Sequence, residues 1–225
     1  MPRNSRGAAR LIVDATRRLV ARWGRRRRVA FAYDMAREIQ RYLPPRARVL
    51  DVGCGNGLIA HLLTAFIVMP VQGVDVIDWL DAPIAFARFD GRTLPFADGA
   101  FDAVLSCYVL HHAQAQEALV AEMQRVLRRG GVLVVYEDAP VSWWDRFMCW
   151  RHCRAWRKRT GPTTFRSPEA WQDLFVRHGF RVTERRLLSR FRSVWHPVRR
   201  VFLVLTREAG EEHGGAPASG EPPRP

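Results

Sequence analysis

An α/β fold built on a mostly parallel sheet is what this sequence predicts, on three observations. Val49-Leu-Asp51 is an apolar run that stops at a carboxylate and passes into glycines at positions 53, 55 and 57. Leu58-Ile-Ala-His-Leu-Leu then has the pattern of a helix's first turns, so the glycines lie on a strand-to-helix turn. Further short apolar runs follow along the chain, and two of them end near acidic residues, Asp75 and Asp90.

Each element has its own justification. Gly53, Gly55 and Gly57 leave bare backbone that a nucleotide-like ligand can approach. A turn of this kind suits NAD, FAD or S-adenosylmethionine, and the spacing leans toward the last. The dinucleotide fingerprint is G-x-G-x-x-G, whereas this chain has G-x-G-x-G. Val71 to Val76 reads as the second strand, with Asp75 placed to accept hydrogen bonds from both hydroxyls of a ribose. Ile84 to Asp90 reads as the third, and Asp90 at its tip, followed by Gly91, can accept from the exocyclic amine of adenine. Phe101 to Ser106 and Gly130 to Glu137 read as the fourth and fifth. Ser167-Pro-Glu starts a helix that Gly179 ends, and Phe180 to Leu188 and Val198 to Thr206 read as the two final strands.

Five linked motifs carry a resemblance over roughly residues 45–140: G-x-G-x-G, G-V-D at 73–75, D-G-R-T-L-P-F at 90–96, F-D-A-V-L-S-C-Y-V-L-H-H at 101–112 and R-V-L-R-R-G-G at 125–131. The chain resembles the class I S-adenosylmethionine-dependent methyltransferases of the type 11 group. The resemblance implies a Rossmann-like three-layer αβα sandwich, with a seven-stranded, mostly parallel sheet and an antiparallel last strand. It implies S-adenosyl-L-methionine as cofactor, with Asp51 and Gly53 to Gly57 at the methionine end, Asp75 at the ribose, and Asp90 with Gly91 at the adenine. Cys54, inside the turn, and Cys107, at the fourth strand's end, are packing positions; with Val76 they complete the candidate cofactor-binding residues. Taken singly, these carboxylates read as solvated strand ends and the glycines as a tight turn; their order and spacing together favour a pocket. One departure stands out. Most relatives carry a full helix between the second and third strands, but here there is only Ile77-Asp-Trp-Leu-Asp-Ala-Pro83, and proline discourages a long helix. The adenine end is therefore expected to be partly open, or closed by something else.

Composition bounds the rest. At 225 residues the chain is long enough for one core with additions. It lacks an 18-residue apolar run and the apolar stretch of a secretory signal, and its four cysteines are scattered, so a reduced, cytoplasmic setting is expected. The net charge of +14 is unevenly laid out: +11 over residues 1–48, −6 over 49–140 and +9 over 141–225. An acidic core thus sits between basic flanks, although a chain whose basic residues are almost all arginine also reflects genome composition.

The flanks are where an acceptor would be chosen. Residues 1–44 are expected to form basic helices that cap the domain or bind a surface, 45–208 the methyltransferase domain, and 209–225 a disordered tail rich in Gly, Pro and Glu. Ala9 to Trp23 is amphipathic and runs into four arginines at 25–28, a pattern that suits an anionic membrane surface, nucleic-acid phosphates or plain packing on the domain. Phe31 to Tyr42 reads as a second helix whose Phe31 or Tyr33 would reach the cofactor mouth. A Trp/Arg-rich helical insertion spans about 141–166, in which aromatic rings alternate with arginines. That suits a lid over a flat or lipid-like substrate, a base-stacking surface, or an aromatic helix sealing the core. Cys149 and Cys153 lie one helical turn apart but lack a third cysteine nearby, so no metal site is expected.

The chemistry expected is in-line methyl transfer to a small-molecule or lipid-like acceptor. His112, with His111 just after the fourth strand, is the candidate general base or pocket-shaping histidine. No N-P-P-Y or D-P-P-Y motif follows that strand, which disfavours methylation of DNA or protein amines by that type of pocket. Nucleic acid is a less favoured partner, so an RNA methyltransferase is the alternative, and a non-catalytic S-adenosylmethionine-binding protein is a third reading.

Overall fold

The computed structural model describes residues 24–192 and 196–208. A seven-stranded sheet runs through its centre, formed by β1 (Val49–Val52), β2 (Val71–Asp75), β3 (Ala85–Arg88), β4 (Phe101–Cys107), β5 (Leu127–Asp138), β6 (Phe180–Leu188) and β7 (Arg200–Arg207). The spatial order is β3-β2-β1-β4-β5-β7-β6. Neighbours from β3 across to β5 pair parallel, and β7 pairs antiparallel with both β5 and β6. The last strand alone therefore runs against the rest, as the resemblance implied.

Alternation of side chains along the central strands builds two cores, one on each face. On one face Val104, Leu133, Val135, Leu203 and Leu205 pack with Leu119 and Met123 of α3 (Gln116–Val126) and with Trp171 and Phe175 of α5 (Pro168–Arg177). On the other, Ala103, Leu105, Val134, Tyr136 and Phe202 meet Ala60 and Leu63 of α2 (Leu58–Ile67), and Met35, Ala36 and Ile39 of a helix over 24–39, α1. Helices on both faces of the sheet complete the three-layer sandwich.

Several boundaries differ from expectation. The helix read over 31–42 is α-helical over 24–39 and finishes in a 3-10 turn at Gln40–Tyr42. Arg25 to Arg28 therefore belong to a helix, on which all four are exposed. β5 begins three residues before Gly130, and β7 begins at Arg200 rather than Val198. No helix separates β2 from β3. The amphipathic stretch Ala9 to Trp23 and the tail from Ala209 lie outside the described residues. Among the described residues no helix is long and apolar enough to cross a membrane.

The insertion is an 18-residue helix, α4 (Trp143–Thr160), started by a reciprocal cap. Ser142 Oγ accepts from the Asp145 amide at 3.2 Å, and the Asp145 carboxylate accepts from the Ser142 amide at 3.0 Å. Ser142→Ala is expected to lower stability by about 1 kcal/mol, read as a reduced melting temperature with an unchanged far-ultraviolet spectrum.

Candidate active site

The glycine turn is held by the strand beside it. Gly53, Gly55 and Gly57 all take positive φ, at 69°, 54° and 75°. The amides of Gly53 and Cys54 donate to the Val74 carbonyl at 2.7 and 3.0 Å. A Cβ on Gly53 would stand 2.4 and 2.5 Å from the methyl carbons of Val109, so the turn has no room for a side chain there. Asp75, 8% exposed, accepts from the Gly55 amide at 2.9 Å through Oδ2 and from the Ile77 amide at 3.2 Å through Oδ1. Each carboxylate oxygen keeps a further lone pair, so the residue that fixes the turn can also receive hydroxyls from a ligand lying over it.

A cavity of about 930 Å³ opens along the ends of β1, β2, β4 and β5. At one end its wall is Gly53, Gly55, Asp75, Val76, Asp90 and Gly91. Asp90 Oδ1 accepts from the amides of Thr93 and Arg92, at 2.7 and 2.8 Å, and these bonds lower its pKa. Trp79 of the β2–β3 connection, where there is no helix, meets the edge of Trp156 of α4, with centroids 6.0 Å apart, and both line the cavity. Phe31 lines it too, whereas Tyr33 packs on Phe66 instead.

Asp51, Cys54 and Gly57 do not line the cavity, and each has a structural reason. Asp51 is 1% exposed inside β1, where burial, with the charge of Asp75, pushes its carboxyl up to about 7. Its Oδ1 has no hydrogen-bond partner. Cys54 is turned under β2, its sulfur 2.8 Å from where a Cβ on Gly73 would stand. Gly57 caps α2 and faces Leu80 and Ile84. Cys107 does line the cavity, with a thiol that burial holds well above its usual pKa.

The far end of the cavity is built from histidines on three segments. His111 and His112 sit on a 3-10 turn after β4, His152 on α4 and His196 just before β7. Glu137, fully buried at the end of β5, organises the turn. Its Oε1 accepts from the amides of Val109 and Leu110 at 2.9 and 2.6 Å, and its Oε2 lies 2.7 Å from His111 Nδ1. Burial lowers the pKa of His111, but the charge and hydrogen bond of Glu137 outweigh it, and the net shift is upward. Its Nε2 is buried without a hydrogen-bond partner.

His112 has a different setting. Its Nδ1 is 2.9 Å from Thr160 Oγ1 and its Nε2 is 3.3 Å from His152 Nε2. Burial, then the neighbouring His111 and His152, push its pKa down to about 3. An imidazole so weakly basic stays neutral near pH 7 and takes a proton poorly, so His112 suits shaping the pocket better than acting as base. Behind this layer, Asp138 accepts from His196 Nε2 at 2.7 Å and pairs with Arg200 Nε at 3.2 Å.

Sequence reasoning missed His152, His196 and Arg200, and left Glu137 and Asp138 without a role. Glu137-Asp138 had a usable signal, two adjacent carboxylates at the tip of a buried strand. His152 had a weaker one, a lone histidine four residues before Trp156 in a helix otherwise of arginines and aromatics.

Comparison with known proteins places this geometry. A family model described as a methyltransferase domain matches residues 23–185. A sterol 24-C-methyltransferase of Schizosaccharomyces pombe is 35% identical over 127 residues, which cover 48% of this chain and 33% of that protein. A 2-methyl-6-phytyl-1,4-hydroquinone methyltransferase of Synechocystis is 31% identical over 121 residues, 46% of this chain and 38% of the relative. The chain thus spans about a third of the length of these two curated relatives. Among solved structures, a SAM-dependent methyltransferase of Methanosarcina mazei superposes with a TM-score of 0.61 at 18% identity, over 76% of this chain and 96% of that one. An S-adenosylmethionine-dependent methyltransferase of Mesorhizobium loti gives 0.58 at 16% identity over the same shares. At such identities these structures speak for the fold.

Proposed function

This chain belongs to the methyltransferase domain family, and we propose that it transfers a methyl group from S-adenosyl-L-methionine to a small-molecule or lipid-like acceptor. The observation that carries this reading is one continuous cavity with two chemically different ends: a glycine-and-carboxylate end that fits a nucleoside, and a histidine-and-aromatic end that fits an acceptor. The first end fits the donor on its own terms. Gly55, at the wall, has open space where a side chain would stand, and Asp75 beside it has lone pairs to offer.

The donor, when bound, supplies a methyl group on sulfonium sulfur, which an acceptor atom displaces in line. The protein's task is then to align the acceptor and exclude water. α4 does both: His152 and Trp156 on its inner side wall the cavity, and Trp156 reaches Trp79 across the gap left by the missing helix. At the reactive end Glu137 fixes the ring of His111. If Nδ1 donates to the carboxylate, the Nε2 lone pair is left to activate an acceptor that must lose a proton.

The outer side of α4 supports a lipid-like acceptor. Trp143, Phe147 and Trp150 form an exposed aromatic stripe, with the Arg154 guanidinium 5.1 Å from the Trp150 ring centroid. Indole rings rimmed by cations suit the boundary of an anionic membrane. The expected result is co-sedimentation with vesicles containing phosphatidylglycerol but not with pure phosphatidylcholine, and its marked weakening in Trp143→Ala/Trp150→Ala. RNA binding that falls steeply between about 50 and 200 mM salt, without vesicle binding, would favour an RNA acceptor instead.

A further inference from the structure

We propose that His111, His112 and His152 form a three-histidine site for a divalent transition metal such as zinc or cobalt(II), open to the acceptor end of the cavity. One nitrogen from each ring lies within 4.8 Å of the other two, the one such group of three among the described residues. The Nε2 atoms of His112 and His152 are 3.3 Å apart. Two nitrogens each held at roughly 2.0–2.1 Å from one tetrahedral ion stand about 3.3 Å apart. The same spacing is long for a direct hydrogen bond between two rings.

The outer shell is of the kind that metal-binding histidines have. His111 Nδ1 is engaged by Glu137 at 2.7 Å, leaving Nε2 buried and without a partner. His112 Nδ1 faces Thr160 Oγ1 at 2.9 Å, and the Thr160 hydroxyl is directed at the Trp156 carbonyl at 3.4 Å. With the hydroxyl so directed, its oxygen can accept from His112 Nδ1–H, which would leave the lone pair on Nε2. A carboxylate on one ligand and a hydroxyl on another fix tautomer and ring plane as outer-shell partners do. Three protein nitrogens leave a position free for an exogenous ligand, the arrangement of catalytic rather than structural sites. The ligands come from two segments, the turn after β4 and the helix α4, so the ion would also pin the insertion to the core.

What the ion would do rests on the methyl-transfer reading, and with His111 Nε2 bound to it the ion, rather than that lone pair, would activate the acceptor. An acceptor hydroxyl or thiol bound to it would release its proton to water near neutral pH. The oxygen or sulfur would then attack the methyl carbon, and the breaking carbon–sulfur bond would leave its electron pair on the donor sulfur. Metal binding itself does not depend on that reading.

The test is titration of metal-free full-length protein with cobalt(II), followed by visible absorption and calorimetry, alongside a separate S-adenosylmethionine titration. The expected result is one saturable equivalent with the intense visible bands of tetrahedral cobalt. His152→Ala should abolish it, and Thr160→Val, which leaves the ligands in place, should weaken it by roughly 10–100-fold. His61→Ala, on α2 and outside the cluster, should change nothing. Should His152→Ala fail to fold, Thr160→Val still decides. Absence of saturable binding, or binding that Thr160→Val and a folded His152→Ala leave unchanged, overturns the site. Donor binding without metal binding overturns this inference alone, whereas loss of both overturns the methyl-transfer reading as well.

Discussion

Glu137→Ala is expected to destabilise the protein by about 3–5 kcal/mol, a fall of roughly 10 °C or more in melting temperature. The carboxylate is fully buried and holds three donors at once: two backbone amides and a histidine ring. Truncation leaves all three facing a dry gap, and unsatisfied buried donors are far more costly than the net worth of their bonds. Glu137→Gln separates stability from chemistry. Its carbonyl oxygen can keep both amides, so most of the stability should remain. Its amide would then donate to His111 Nδ1, placing the ring proton on Nε2 and removing any lone pair there. Methyl transfer should fall roughly 100-fold or more with little change in donor affinity. Equal loss of donor binding and turnover would show that Glu137 only holds the fold together.

Asp75→Ala is expected to weaken S-adenosylmethionine binding by about tenfold or more, since each hydrogen bond to a charged acceptor contributes roughly 1.5–3 kcal/mol. The carboxylate would act twice, receiving the donor and holding the Gly55 amide at 2.9 Å, so its loss is also expected to loosen the turn. Calorimetry at fixed salt measures the effect. An unchanged affinity would place the ribose elsewhere.

The sheet was legible because each strand near the site carries its own evidence. Val49 to Gly57 shows an apolar run, a stop and a turn within nine residues, and the near-continuous apolar runs of β4, β5 and β7 feed two separate cores, one on each face of the sheet. The missing helix after β2 was legible for a local reason, Pro83. The far end of the cavity was not, because nothing local announces it. His152 stands 40 residues beyond His112 and reaches it only once α4 folds back over the cavity. His196 and Arg200 arrive from the far side through the pairing of β7 with β5. Spacing could not decide which residues of the glycine turn line the cavity either. The positive φ angles turn Cys54 under β2 and Gly57 toward Leu80, while Gly53 and Gly55 remain at the wall. His112 matched the motif, but burial beside two other histidines makes it the weaker base, a tertiary effect that a motif cannot carry.

The most direct measurement is calorimetric titration of the purified protein with S-adenosylmethionine and, separately, with NAD. Saturable one-site binding of the methyl donor, with no heat from NAD, is the predicted result. Binding of NAD, or of neither ligand, would contradict the assignment of the glycine turn and its carboxylates to the donor, and methyl transfer with it.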